Sequence, residues 1–302
     1  MKKYKKLEDY GIIGNLDTAA LVGNDGSIDW CCFPHIESPS VFAALLDKDK
    51  GGYFSVTPVG PYRSSQNYID RTNVLQTKFT TSAGSAVLTD FMPLKGWDKA
   101  DKLSHQAVYR KIVCEQGQID LAVSFQPRFD YARAKTVLKL DDKGILATSN
   151  SEHIFLKSSA LLKIENAGAK GILSMKAGDV AWLALQYGHE RPLETQNGEE
   201  LLDKTVQFWL GWVHSCEEQK CVFGGAWHNL IIRSGLVLKL LNHQETGAIS
   251  AALTTSLPEV IGGNRNWDYR YNWIRDASFT VQALYNVGHI KEAKNHLNWF
   301  MG

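Results

Sequence analysis

The run Asn266-Trp267-Asp268-Tyr269-Arg270-Tyr271-Asn272-Trp273-Ile274-Arg275-Asp276 interleaves flat aromatic rings with guanidinium and carboxylate groups. Such residues suit a neutral ligand rich in hydroxyls, because rings cover C–H faces while Arg donates hydrogen bonds and Asp accepts them. A sugar has that chemistry. Ala277, Val281, Leu284 and Val287 follow at helical spacing, so the polar run sits where a loop becomes a helix N-terminus. Taken alone, Arg275-Asp276 reads as a neighbour ion pair with an acid complementing the helix dipole.

Composition excludes several other chemistries. The 302 residues carry 33 Lys and Arg against 32 Asp and Glu, a net charge of +1. That balance leaves no electrostatic footprint for nucleic acid or an anionic membrane surface, and the expected partner is uncharged. Apolar stretches such as residues 181–185 are far too short to span a bilayer. The basic start Met1-Lys2-Lys3-Tyr4-Lys5-Lys6 leads into Leu7-Glu8-Asp9 rather than an apolar core, so no secretion signal is expected. Cys31, Cys32, Cys114, Cys216 and Cys221 are odd in number and form no C-x-x-C motif, which predicts reduced thiols in the cytoplasm. His289 and His296 have no carboxylate or thiol to complete a zinc set, and Asn24-Asp25-Gly26 reads as a hairpin turn rather than a calcium loop. No metal or cofactor is implied. Phosphate-binding glycine loops and the serine-hydrolase elbow are absent from the sequence.

From Gly11 to about Glu190 the apolar period is two, punctuated by turn signals, as where Ile119, Leu121, Val123 and Phe125 alternate with more polar neighbours. Further strands are expected near 87–91, 106–114, 154–162 and 180–186. The predicted fold over 1–197 is a large antiparallel two-sheet β-sandwich. Leu202, Val206, Trp209 and Val213 then mark a linker helix within 198–221. A second helix carries Phe223, Trp227, Leu230, Ile231, Ser234, Leu238 and Leu241, and two more are expected near 273–287 and 290–301. Between them, residues 243–272 show no periodicity, and long segments of that kind are usually functional. Trp209, Trp212, Trp227 and Trp299 lie on apolar stripes and are expected to pack in the core.

The words Thr246-Gly247-Ala248-Ile249, Thr254-Thr255-Ser256-Leu257-Pro258-Glu259 and Gly262-Gly263 through Asp276 resemble the opening of the catalytic domain of glycoside hydrolase family fifteen, the glucoamylases and trehalases. Tyr10-Gly11-Ile12-Ile13-Gly14-Asn15, Gly26-Ser27-Ile28-Asp29-Trp30 and Ser38-Pro39-Ser40-Val41-Phe42 resemble the β-sandwich that precedes this domain in prokaryotic members. The resemblance implies an (α/α)6 barrel, of which 222–302 would encode only the first helices. It implies that Tyr269, Trp273, Arg275 and Asp276 line the subsite for the non-reducing glucose, with Trp267 and Asp268 as pocket support.

Family members invert configuration with two glutamates, which would lie beyond Gly302. Inversion needs two carboxyls about 6.5 to 9.5 Å apart, so the isolated chain is expected to be inactive. The implied partner is an α-glucoside or gluco-oligosaccharide. The alternative is a non-catalytic module that binds carbohydrate, self-associates or pairs with a chain completing the barrel. Asp29-Trp30 and Pro34-His35 are expected to serve domain packing more than ligand contact.

Overall fold

The computed structural model describes residues 4–94, 106–190, 197–213, 225–256, 260 and 263–302. Among these, fifteen strands form a large antiparallel domain, and four helices lie on its C-terminal side. Cys216, Cys221, Phe223, Leu257-Pro258-Glu259 and Gly262 fall outside the described residues.

One strand organises the sheets. Ala107–Gln126 runs for twenty residues. Its first half pairs with Gly84–Phe91 and Val180–Tyr187, and its second half with Tyr53–Pro58 and Gly168–Lys176. Sequence periodicity predicts two strands here, 106–114 and 119–125, with a turn at Gly117. The structure corrects this: the strand is continuous, with Glu115 the extra residue of a bulge where the register shifts between Ser85 and Ala86, and Gly117 (φ +62°) two residues on is still paired with Gly84. A Cβ at Gly117 would meet the Ala83 carbonyl at 2.0 Å, so only glycine fits. The bulge lets one strand serve both sheets. Ile13, Phe54 and Phe125 from one set of strands meet Phe79, Ile112 and Leu156 from the other in a single buried core.

Within that core an ion pair joins the layers. Arg110 and Asp90 face each other across neighbouring strands, both wholly buried, with Nε to Oδ1 at 2.7 Å and Nη2 to Oδ2 at 3.2 Å. Further guanidinium donors reach the carbonyls of Phe54 (2.9 Å) and Gly26 (2.7 Å), while the cation lies 4.9 Å from the Phe54 ring. Four of its five N–H donors are thus taken up, two by the carboxylate and two by backbone carbonyls of other segments.

The helices cover the outer face of the same domain. We label them α1 (Gly198–Val213), α2 (His228–Leu240), α3 (Ile274–Asn286) and α4 (Ile290–Met301). A second buried cluster unites Phe91 and Tyr109 of the sheets with Trp209 of α1, Leu236 and Leu240 of α2, and Ala277 of α3. Trp209 is therefore core, as its stripe predicts. Trp227 and Trp299, expected in the core, are instead 70% and 40% exposed. Trp227 precedes the first turn of α2, whose buried stripe is Gly235, Leu236, Lys239 and Leu240 rather than the predicted Leu230, Ser234 and Leu238. Trp299 shares the stripe of Ala293 and His296 but lies in the final turns of α4, where no described element covers it. No described helix is long and apolar enough to cross a membrane.

Arg110→Ala should destabilise the chain by about 3–5 kcal/mol in urea unfolding, because Asp90 is left buried without a partner. The paired change Arg110→Met with Asp90→Leu should recover most of that loss. Equal destabilisation by the single and paired variants would show that the ion pair is not what makes the single change costly.

Candidate functional site

The site begins where residues 250–256 run beside 267–271. The amides of Ala251, Ala252 and Ser256 donate to the carbonyls of Tyr271 (3.0 Å), Tyr269 (2.7 Å) and Trp267 (2.9 Å), and the Ser256 hydroxyl accepts from the Trp267 amide at 2.7 Å. The unpatterned segment is thereby ordered by its own backbone. Because alternate carbonyls point toward 250–256, alternate side chains part company. Trp267 and Tyr269 turn to Trp273, with ring centroids 6.3 and 5.0 Å away, whereas Asp268 and Arg270 pair with each other.

The aromatic group is open to solvent on one side. Trp267 is 51% exposed, and Tyr269 and Trp273 are half-buried. Trp273 donates its indole N–H to the Asp268 carbonyl at 3.0 Å, which restrains the ring plane. It also stands at the N-cap of α3 in an extended conformation, so the chain turns into the helix directly after the ring. Asp276 occupies the first turn of α3. Its carboxylate accepts from Arg275 Nη2 at 3.0 Å, and the Arg275 side chain is 66% exposed. The four residues expected to hold glucose therefore occupy one loop-to-helix corner as two groups, an aromatic pair tilted by 48° and an ion pair. None is sealed from solvent.

Asp268 and Arg270 face the sheet domain. Asp268 takes bonds from Arg270 Nε (2.9 Å), Nη2 (2.7 Å) and backbone N–H (3.1 Å). Arg270 Nη1 donates to the carbonyls of Ser38 (2.8 Å) and Ile36 (3.3 Å), and the guanidinium lies 5.7 Å from the Trp30 ring and 5.6 Å from Tyr131. Burial opposes charge on both groups. Even so, mutual hydrogen bonding holds the Asp268 carboxyl below its ordinary range and Arg270 above its own. Sequence reasoning gave Arg270 no role. The signal was present in the alternation Trp267-Asp268-Tyr269-Arg270-Tyr271, which puts Arg270 with Asp268 and away from the rings.

Neighbouring contacts serve the same junction. Trp30 donates its indole N–H to the Leu253 carbonyl at 3.1 Å. Asp29 stays within the sheet domain, accepting from Tyr10 (2.7 Å), Ser27 (2.6 Å) and Lys5. The indole bond ties Trp30 to the 250–256 segment. His35 lies with its ring 5.9 Å from that of His243, at the same boundary.

Behind the corner, α4 is held by a buried polar cluster. Glu292 Oε1 accepts from Trp212 Nε1 (2.7 Å) and Lys239 Nζ (3.0 Å), and the His289 ring stacks on Trp212 at 3.7 Å. A cleft of about 260 Å³ opens between α3 and α4, lined by residues including Ile274, Val281, His296, Leu297 and Phe300. It contains none of the four residues expected to bind glucose. No group of three His, Cys, Asp or Glu side chains among the described residues could hold a metal ion.

Comparison with known proteins decides the family. A family described as "Trehalase-like, N-terminal" matches residues 2–208, and "Glycosyl hydrolases family 15" matches residues 225–301. The chain belongs to glycoside hydrolase family 15, with a trehalase-like N-terminal part. It is 36% identical to a trehalase of Thermoplasma volcanium over 97% of this chain and 47% of the relative. It is 34% identical to a trehalase of Thermoplasma acidophilum over 92% of this chain and 47% of the relative. Against a trehalase of Mycobacterium tuberculosis it is 31% identical, over 96% of this chain and 45% of the relative. The chain thus spans about half the length of the curated relatives it matches.

The cluster behind α4 gives a pH dependence. Burial lowers the His289 pKa below its ordinary 6.5. Burial would raise Glu292, but Lys239 and Trp212 hold it below its ordinary 4.5. Both shifts mean that the unfolded chain binds more protons, so stability falls as pH drops. The histidine part is lost from about 6.5 downward, and the glutamate part below about 4.5 as pH passes through its folded value. Thermal midpoints measured from pH 7 to 4 should show this fall. His289→Phe, which keeps the stack on Trp212, should flatten the upper limb, and an unchanged slope would rule out that assignment.

Proposed function

We propose that this chain is the N-terminal portion of a trehalase- or glucoamylase-like inverting hydrolase of α-glucosidic bonds, and that it supplies one wall of the glucose pocket. In this reading residues 1–197 are a β-sandwich domain, 198–221 a linker helix region, and 222–302 the opening helices of an (α/α)6 barrel. The observation that carries it is the corner at the start of α3, where Tyr269 and Trp273 stand beside the solvent-open Arg275–Asp276 pair. The trehalase relatives support the substrate class.

Each group has a physical task. The rings of Tyr269 and Trp273 cover the apolar C–H face of a glucose unit. Arg275 donates to its hydroxyls, and Asp276 accepts from them through charge-assisted hydrogen bonds. Trp267 and Asp268 support the pocket, the first by its edge-on contact with Trp273 and the second by accepting the Trp273 indole. Hydrolysis with inversion then requires two further carboxyl groups: one protonates the departing glycosidic oxygen, and the other takes a proton from the water attacking the anomeric carbon. We assign neither role to residues of this chain, and the isolated 302 residues bind sugar without cleaving it.

A second reading, a module that pairs with a chain completing the barrel, is favoured by the exposed apolar side chains of α3 and α4. Phe279 is 72% exposed, Phe300 57% and Met301 84%. Apolar surface of this kind marks association. Sedimentation of the pure chain separates the two readings, since a monodisperse monomer at high concentration argues against pairing.

Titration with trehalose, followed by tryptophan fluorescence, should show saturable binding. Trp273→Ala or Asp276→Ala should weaken it by about tenfold or more, the loss expected when a charged or stacked contact worth ~1.5–3 kcal/mol is removed. Glucose release from trehalose, maltose or isomaltose by the pure chain would overturn the assignment of the catalytic carboxyls elsewhere.

A further inference from the structure

We infer that Arg270 is a positioning residue through which the sheet domain sets the orientation of the Trp273 indole, a coupling that rests on the proposed glucose site for its functional consequence. The path is short and continuous. Carbonyls of Ile36 and Ser38 in the sheet domain hold Arg270 Nη1. Nε and Nη2 of the same planar group hold the Asp268 carboxylate. That carboxylate also accepts from the Arg270 backbone N–H, closing a tight turn over 268–270 that fixes the Asp268 peptide group. The carbonyl of this peptide group is the acceptor for Trp273 Nε1.

Three features make Arg270 specific for this task. It is buried (6% exposed) in a segment whose neighbours Trp267 and Tyr271 are more than half exposed, so it points into the domain boundary rather than toward solvent or ligand. Its guanidinium is held near two sheet-domain rings, Trp30 and Tyr131, which restrict its plane. Tyr131 comes from a stretch, Asp130 to Ala132, in which three consecutive non-glycine residues have positive φ, between 52° and 64°. Left-handed backbone of that kind persists only where its surroundings hold it, and here Tyr131 lies against Arg270. Lysine could keep the charge but could not bridge a carboxylate and two carbonyls from one rigid plane.

The test reads Trp273 directly. In chain labelled with ¹⁵N-tryptophan, Arg270→Lys should speed hydrogen exchange of the Trp273 indole N–H by about tenfold or more, as local opening predicts. The Trp212 indole, bonded to Glu292, is the reference and should not change. The same variant should weaken trehalose binding by about tenfold. Unchanged Trp273 exchange overturns the proposal, and so does full-strength binding by Arg270→Lys when the unsubstituted chain binds. Should Arg270→Lys loosen Trp212 as well, the milder Asp268→Asn variant decides by the same criterion. Exchange is read without sugar, so an unsubstituted chain that ignores trehalose overturns the glucose reading alone and leaves the coupling to be judged on exchange.

Discussion

The helices depend on the sheet beneath them. Each is between twelve and sixteen residues long, a length at which an isolated helix is marginal in water. The first three gain stability by packing Trp209, Leu236, Leu240 and Ala277 in one buried cluster with Phe91 and Tyr109 of the strands, and α4 packs on α3. The corner at the N-terminus of α3 inherits its position from that contact. The loop and helix turn proposed as a glucose wall thus gain their rigidity from the strands beneath, to which no ligand contact is assigned.

The same polar device recurs in the structure. Arg110, Arg233 and Arg270 each direct guanidinium donors at backbone carbonyls of another segment: Phe54 and Gly26, Thr72, and Ile36 and Ser38. Arg110 ties one sheet to the other, Arg233 ties α2 to the loop before strand Leu75–Thr80, and Arg270 ties the site segment to the sheet domain. A fixed planar fork suits this work because it meets several acceptors without further rotation. Carbonyls at a domain boundary lose water on packing and need such donors.

How much of this is legible in the sequence depends on the range of the interaction. Alternation over 119–125 and the four-three spacing from Leu202 to Val213 report local burial, and the strand and α1 lie there. At Gly117 a turn and a continuous bulged strand both suit glycine, and only the partner strand distinguishes them. Trp227 and Trp299 are exposed because an apolar stripe says which side of a helix seeks cover, not whether cover exists. The side chains of Tyr269, Trp273, Arg275 and Asp276 lie within eight residues of one another in sequence, so their common corner required little tertiary information.

Sequence by itself determined the chemical types at the corner, the change of period near residue 200 and the family words, since all are properties of neighbours along the chain. Tertiary structure alone decided that Arg270 bonds to the Ser38 carbonyl, that Trp30 bonds to Leu253 across 223 residues, and that Arg110 is buried whole beside Asp90. The reason is physical: a charged side chain is buried only where partners converge, and those partners come from segments far apart in the chain.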